Sequence, residues 1–458
     1  MSGWLSALRV AVVSLLLASA VALPVAAQPA AAPTSPVSVQ PLPPATAPAT
    51  VPVQPAVKFD ALKATNAYLA TVKGEARAKS DAYFEGGYVL SVVDVIYALA
   101  VAGILLWLHI SSRMRDFAGR ITRSRFWQVP IYVVLYLAIT TVLTFPLTLY
   151  EGFFREHAYG LSNQDFGGWF GDFAKDFGVS LIAFVVVATV IYAVVRATPR
   201  FWWVWGTLVA LVFVTFFSFV APVFIMPMFN DYYSLKDGPV KQSILALARA
   251  NEIPATDVYE FNASKQSKRI SANVSGFAGT TRISLTDNLI IRCTPAEIKA
   301  VLGHEMGHYV LDHNFTGLTW FGLIFVVGFA FVNWGYLWLT GIFGGSWGVR
   351  TIDDPAGLPV IMALFSVFML LATPLLNTAT RTLEAQADAF GLNAAREPDG
   401  FATVTLKLSE YRKLDPSPLE EFVFYDHPSG RSRIFRAMTW KAEHLNDADI
   451  KAGPVSPQ

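Results

Sequence analysis

Six hydrophobic stretches, each about as long as a helix that crosses a lipid bilayer, constrain the fold of this chain more than any other feature. A membrane-spanning helix needs about 20 predominantly apolar residues. Only 15% of the 458 residues are charged, whereas soluble domains carry about 25%. We therefore predict a mainly α-helical protein that crosses a membrane several times. The predicted spans are Val89–Ile110, Trp127–Leu149, Val179–Val195, Trp202–Met226, Leu318–Leu339 and Leu358–Leu376.

The N-terminal region has a different composition. Residues 1–27 contain Arg9, an apolar run and a small-residue cleavage site, which is typical of a signal peptide; the alternative is a first membrane anchor. Residues 28–57 are rich in proline and alanine, which predicts a disordered linker. A short helical segment is expected over residues 58–87. The predicted segments that follow are spans 1–4 (residues 88–229), a first polar part (230–314), spans 5–6 (315–376), a second polar part (377–440) and a C-terminal tail (441–458).

The loop after the first span is rich in arginine, which is typical of a loop on the cytoplasmic side of a membrane. Counting spans from this loop places both polar parts on the opposite, periplasmic side. The net charge of +1 comes without a basic patch that alternates with aromatic residues, so we expect no nucleic-acid partner. The arginines of the loop are Arg113, Arg115, Arg120, Arg123 and Arg125.

The first polar part contains a pattern that predicts a metal site on a helix. His304 and His308 are four residues apart, so on a helix they lie on one face, where two imidazoles can hold one Zn²⁺. Glu305 lies beside them and can act as a general base on a water molecule. Thr294, followed by proline and by Glu297 three residues later, predicts the start of this helix. The alternative is a chance match on an amphipathic helix.

A catalytic zinc site needs a third protein ligand. His313 is nine residues from His304, about half a turn out of phase on a continuous helix, and we interpret it as an interfacial side chain. Glu384 is a better candidate, because a carboxylate can complete a site with two histidines. Glu384 shares one predicted helix face with three other polar residues, Asn377, Arg381 and Asp388. Of these, Asp388 lies one turn after Glu384 and can accept a ring N–H from a histidine ligand. A solvated charged face is the alternative interpretation.

Several segments together resemble the type I CAAX prenyl protease family of integral-membrane zinc metalloendopeptidases. The first two are His304-Glu-Met-Gly-His308 and Glu384-Ala-Gln-Ala-Asp388. The others are Ser264–Gly276, similar to an edge-strand motif, Arg282–Asp287, similar to the strand after it, Asp426-His427-Pro428 with Arg433, and the loop Tyr150–Asn163. Matching stretches run from about Val89 to Arg436. The family usually has seven spans, one more than the six predicted here.

The resemblance implies a fold and a set of roles. The fold class is a mainly α, polytopic membrane helical barrel or bundle of about six to seven spans, with a zincin-like catalytic domain that carries a small β-sheet. One Zn²⁺ would be held by His304, His308 and Glu384. His427 would stabilise the developing oxyanion with support from Arg433, and Asp388, Arg381 and Asn377 would surround the ligands. Substrate would bind along the edge strand at Asn273, Val274, Ser275 and Gly276; Val274 and Ser275 depart from the residues usual in the family.

We therefore expect a zinc-dependent membrane metalloendopeptidase, located in a membrane of the bacterial inner-membrane type. Its partners would be the lipid bilayer and a peptide or protein substrate, with a prenyl group or a membrane-embedded segment as candidate features. The charge count favours a periplasmic catalytic face, whereas the eukaryotic members of the family are expected to have theirs in the cytosol. One alternative is a general quality-control protease. Another is a non-catalytic metal-binding membrane scaffold, although such a scaffold would not need Glu305.

Overall fold

The computed structural model describes residues 59–275 and 281–451, and residues 1–27 and 28–57, the predicted signal peptide or anchor and linker, lie outside them. The described chain is mostly helical and has one small sheet, so the predicted fold class is confirmed. Its helices are α1 (Ala61–Leu69), α2 (Gly74–Trp107), α3 (Ile110–Ile121), α4 (Arg125–Leu149), α5 (Phe166–Ala197), α6 (Trp202–Val220), α7 (Pro239–Ala250), α8 (Asp287–Arg292), α9 (Pro295–Val310), α10 (His313–Trp347), α11 (Leu358–Ala395), α12 (Pro398–Leu408), α13 (Pro418–Phe424) and α14 (Gly430–Glu443).

Five helical segments of the described chain are long and apolar enough to cross a membrane. They are Gly74–Trp107, Arg125–Ala158, Phe166–Ala197, His313–Trp347 and Pro355–Ala395. The fourth predicted span, Trp202–Met226, corresponds to two helical pieces, Trp202–Ser218 and Ala221–Met228, that meet at an angle of 43°. Pro222 lies in the second piece, where proline removes a backbone donor and favours such a bend.

Several membrane helices extend beyond the predicted spans, among them α2 and α11. Helix α2 runs unbroken from Gly74 to Trp107, so the expected division at residue 87 falls inside a continuous helix. Helix α11 continues through Pro374 and carries the whole Glu384 segment. A polar segment that leaves the membrane as part of a 38-residue helix is held at a fixed angle to the bundle.

The sheet has four strands in the order β1-β2-β4-β3. The strands are β1 (Tyr232–Ser234), β2 (Val258–Phe261), β3 (Ala272–Ser275) and β4 (Arg282–Thr286). Strands β2 and β4 are parallel, whereas β1 and β3 pair antiparallel to their neighbours. Strand β3 therefore forms one edge of the sheet, as the resemblance implied. Its residue Asn273 pairs with Ser284 on β4.

Helix α9 begins as the sequence predicts. The Thr294 hydroxyl accepts from the Glu297 N–H, and the Glu297 carboxylate accepts from the Thr294 N–H, a capping box that satisfies two of the free donors at the helix start. One face of α9, with Leu302 and Met306 fully buried, packs on the apolar face of the sheet. This packing fixes the helix rotation and directs the opposite side, with both histidines, towards α11.

Candidate metal centre

Helices α9 and α11 cross at unusually short range because glycine lines both sides of the contact. A Cβ atom on Gly391 would lie 2.7 Å from the backbone nitrogen of His304, and one on Gly303 would lie 3.0 Å from the Gly391 carbonyl oxygen. A Cβ on Gly307 would lie 3.1 Å from the Ala387 Cα. Backbone atoms cannot move aside as a flexible side chain can, so larger residues here would separate the helices. The close crossing brings the α9 histidines within reach of Glu384 on α11.

Three candidate ligand side chains converge at this crossing. The Nε2 atoms of His304 and His308 are 3.2 Å apart. His304 Nε2 lies 3.2 Å from one Glu384 carboxylate oxygen, and His308 Nε2 lies 3.5 Å from the other. Ligand atoms of the three side chains all lie within 4.8 Å of one another, so one metal ion can contact all of them.

The charge balance around His304 favours a cation at this position. Its Nδ1 lies 2.8 Å from an Asp388 oxygen, and its Nε2 faces Glu384. Burial lowers the pKa of His304, but the interactions with these two carboxylates overcome that effect and raise the pKa to about 10. Glu384 is itself buried, and the nitrogens nearest its Oε2, Nε2 of His304 and Nε2 of His427, lie 3.2 and 3.3 Å away without the geometry of a regular hydrogen bond. A buried carboxylate oxygen without a regular hydrogen bond is the kind of atom that binds a metal.

Asp388 joins the two sides of the centre. It is fully buried and accepts from the ring of His304 on one side. On the other side Arg433 donates to both of its oxygens, at 3.0 and 2.6 Å, and Arg436 approaches at 3.4 Å. A buried carboxylate held by a bidentate arginine stays ionised and fixes the orientation of the imidazole that donates to it.

Glu305 projects next to the two histidines. Burial raises the pKa of its carboxyl group, and the nearby rings of His304 and His308 act in the opposite direction. A carboxylate whose pKa is raised holds a proton more readily than an ordinary glutamate, as a general base requires.

His427 lies on the far side of Glu384. Its Nε2 is 3.3 Å from Glu384 Oε2, and its Nδ1 is 2.9 Å from an Asp426 carboxylate oxygen. Burial raises the pKa of Asp426, but the interaction with His427 outweighs it and holds the pKa below its usual value. Asp426 therefore remains charged and holds the ring with Nε2 towards the metal centre.

The edge strand β3 packs beside α9. The side-chain oxygen of Asn273 is buried and has no hydrogen-bond partner among the described residues. Val274 is half-buried and Ser275 is buried. Gly276, the last residue of the predicted substrate-binding stretch, lies outside the described residues.

Comparison with known sequence families accounts for most of the chain. Residues 234–441 match the family described as Peptidase family M48. Residues 61–231 match the family described as the CAAX prenyl protease N-terminal region, five membrane helices. The chain belongs to peptidase family M48. It is a multi-pass membrane metalloprotease.

Individual proteins of known sequence or structure agree with M48 membership. An uncharacterized metalloprotease of Bacillus subtilis, YhfN, is 29% identical, over 82% of this chain and 89% of the relative. A protein of Arabidopsis thaliana named CAAX prenyl protease 1 homolog is 27% identical, over 78% of this chain and 84% of the relative. The crystal structure of S. mikatae Ste24p has the same fold, with a TM-score of 0.66, 22% identity and coverage of 82% of this chain and 94% of that one.

Three residues predicted near the ligands of this M48 peptidase have other partners. The Arg381 guanidinium donates to backbone carbonyls at the end of α13, among them that of Glu421 at 2.7 Å. Asn377 donates to the Val423 carbonyl in the same helix. Arg433 contacts Asp388 and not His427, because its planar guanidinium matches a carboxylate in two hydrogen bonds. Arg381 and Asn377 thus hold the segment that leads to His427, and do not contact a candidate ligand.

The interpretation of His313 as an interfacial side chain is wrong. Its ring is buried, with Nδ1 3.0 Å from His308 Nδ1 and Nε2 3.0 Å from the Gln386 side-chain oxygen. The prediction assumed one continuous helix, but α9 ends at Val310 and α10 begins at His313 after Asp312, which has a positive φ of 51°. Sequence reasoning also missed Gln386 and the glycines of the helix crossing. A His-x₄-His spacing after the first histidine pair was the available signal.

Proposed function

We propose that the chain is a zinc-dependent endopeptidase in which His304, His308 and Glu384 hold one Zn²⁺. The convergence of these three side chains, with Glu305 beside them, is the observation that carries the proposal. Two imidazoles and a carboxylate are the donor set of many catalytic zinc sites. The buried Glu384 oxygen, which has no regular hydrogen bond, and the two carboxylates of Glu384 and Asp388 beside His304 support a cation at this position. Bound zinc would supply Lewis acidity, which activates water and polarises a carbonyl group.

The surrounding residues have roles that follow from their positions. Glu305 accepts the proton of the attacking water molecule and returns it to the leaving amine. His427 donates from Nε2 to the oxygen on which negative charge develops, and Asp426 keeps its ring in place. A single donor of this kind typically contributes about 3 kcal/mol to the transition state. Asp388 keeps the His304 ring in its ligand orientation and Arg433 balances the carboxylate charge.

The substrate would bind as an extended peptide along β3. Strand β3 lies at an edge of the sheet, where an extended peptide can add as a further strand, and the Asn273 side-chain oxygen next to α9 has no hydrogen-bond partner among the described residues. Val274, Ser275 and Gly276 would line the same strand. Relatives named CAAX prenyl protease 1 in Arabidopsis thaliana and in Saccharomyces cerevisiae, both 27% identical, favour a prenylated substrate.

We expect the purified, zinc-loaded protein to cleave peptide bonds and to lose this activity when a chelator removes the metal. The physical reason is that the water molecule and the carbonyl group are activated by the metal. A farnesylated CAAX peptide, the same peptide without the farnesyl group, and casein would be compared before chelation, after chelation and after zinc is restored. Cleavage of the farnesylated peptide alone identifies a prenyl protease, whereas cleavage of all three identifies a general protease. Absence of cleavage by the zinc-loaded protein would contradict the proposed function.

The catalytic face is proposed to be periplasmic. The loop Leu161–Asn163, after the second span, hydrogen-bonds to Gln266 and Lys268 of the catalytic part. The arginine-rich loop lies at the other end of the spans, where Arg115 pairs with Asp354. Arginine-rich loops face the cytoplasm, which leaves the catalytic part on the opposite side.

Labelling of single cysteines in intact cells tests this orientation. The sequence contains one cysteine, Cys293, which would first be replaced by serine. Two exposed positions, Lys236 in the catalytic part and Arg123 in the arginine-rich loop, form a matched pair. We expect a membrane-impermeant maleimide to label Lys236→Cys in intact cells and Arg123→Cys only after permeabilisation. The reverse pattern would place the catalytic face in the cytosol.

A further inference from the structure

We propose that His313 is a positioning residue that, together with Gln386, holds His308 in the form that binds the metal. This inference rests on the proposed metal site, because it concerns one of the ligands assigned there. Its basis is a continuous line of polar contacts that starts at the ligand and ends on α11. His308 Nδ1 lies 3.0 Å from His313 Nδ1, and His313 Nε2 lies 3.0 Å from the Gln386 oxygen.

The direction of the hydrogen bonds follows from the atoms in this line. An amide oxygen only accepts, so His313 must donate to Gln386 from Nε2. A neutral imidazole carries one hydrogen, which leaves His313 Nδ1 as an acceptor. His308 must then donate from Nδ1, and its Nε2 keeps the free electron pair that faces His304 and Glu384. The contacts therefore select the His308 tautomer that carries its hydrogen on Nδ1 and can bind a metal through Nε2.

The two histidine ligands have orienting partners of different charge. His304 donates to Asp388, a carboxylate whose charge is balanced by Arg433. His308 donates to a neutral imidazole that itself ends on a neutral amide. A second carboxylate at His308 would add another negative charge to a centre that already contains Glu305, Glu384 and Asp388. The neutral partner orients the second ring without that additional charge.

The chain direction explains why His313 can reach this position. His313 lies five positions after His308, which on one helix would place it on a different face. Because α9 and α10 are separate helices, His313 does not follow the α9 periodicity. The positive φ of Asp312 turns the chain and brings His313 back to the His308 ring. Gln386 lies two residues after Glu384, so α11 supplies both a ligand and the last residue of the line of contacts from His308 through His313 to Gln386, which we call the relay. The relay therefore connects three helices at the centre: α9, α10 and α11.

The experiment measures zinc affinity by competition with a chromogenic chelator, without reference to activity. Removal of an orienting partner of a histidine ligand typically weakens metal binding by about 10–100-fold. We expect a loss of this size for His313→Leu, which has no acceptor. His313→Gln, which restores a side-chain oxygen, should recover most of the affinity. His444→Leu is the matched control, because its ring hydrogen-bonds to the Trp440 carbonyl in α14 and contacts no candidate ligand.

Two further measurements separate positioning from folding. Gln386 is exposed, so Gln386→Leu leaves the packing intact and should weaken zinc binding in the same direction by a smaller factor. The visible absorption spectrum of the Co²⁺-loaded protein reports ligand geometry and should change in His313→Leu but not in His444→Leu. Wild-type zinc affinity and an unchanged cobalt spectrum in His313→Leu would overturn the relay and leave the proposed function standing. A wild-type protein that binds no zinc would overturn the proposed function, and the relay with it.

Discussion

Glu305→Gln is expected to lower the rate of peptide cleavage by about 10²–10⁴-fold, the range typical of a lost general acid–base group. Glutamine has the shape of glutamate but cannot accept a proton at neutral pH. The residue lies beside His304 and His308 without being one of the three converging side chains, so the substitution should leave metal binding almost unchanged. Loss of the Glu305 carboxylate would therefore slow the reaction without preventing the metal site from forming.

Cleavage rate, zinc content and the midpoint of thermal unfolding would be measured on the same detergent-purified preparations. Glu252→Gln serves as the control, since it makes the same chemical change at an exposed position in the catalytic part. It should behave as the wild type in all three measurements. A Glu305→Gln protein that contains zinc and cleaves at the wild-type rate would exclude Glu305 as the base.

Much of the centre could be predicted because it depends on local spacing. Helical periodicity brings His304 and His308 to one face, and the same argument brings Glu384 and Asp388 to one face of α11. The start of α9 is encoded by Thr294 and Glu297, which satisfy each other's backbone donors. These features depend on a few neighbouring residues and hardly at all on the rest of the fold. The six hydrophobic stretches are equally local, and they led to the correct fold class.

The rest depends on contacts between distant segments, which periodicity does not determine. Arg381 and Asn377 share a predicted face with Glu384, but α13 covers that end of the helix and accepts their hydrogen bonds. His313 became a neighbour of His308 through a change of chain direction at Asp312, whose positive φ is hard to foresee, because residues other than glycine seldom adopt it even though aspartate does so more often than most. The close approach at Gly391 likewise requires knowledge of which helix lies opposite.

Asp388→Asn is expected to destabilise the folded protein by about 3–5 kcal/mol, the usual cost of breaking a buried ion pair by removing one partner. Asparagine has the same shape, so the change removes a charge and little else. Arg433 is 7% exposed and would remain as a buried cation without its carboxylate. The loss of negative charge would also weaken the hold on the His304 ring, so zinc affinity should fall, typically by about 10–100-fold.

The control is Asp449→Asn, which breaks an arginine–carboxylate pair of similar geometry at the surface. Arg396 donates to the two Asp449 oxygens at 2.6 and 2.8 Å, but both side chains are substantially exposed. Water solvates the separated charges there, so this variant should unfold close to the wild-type midpoint and keep its zinc affinity. Equal effects of the two substitutions would show that burial of the Asp388 pair has no special importance.

A double variant, Asp388→Leu with Arg433→Met, separates the two roles of the carboxylate. Replacing a buried ion pair by apolar side chains of similar volume is often neutral or stabilising, so the double variant should regain much of the stability that Asp388→Asn loses. Zinc affinity should stay low, because leucine cannot accept from His304 Nδ1. Unfolding midpoints and zinc dissociation constants of the wild type, both single-site aspartate variants and the double variant decide the matter. If stability and zinc affinity recover together, Asp388 serves the centre only by keeping the helices packed, and its hydrogen bond to His304 does not orient the ligand.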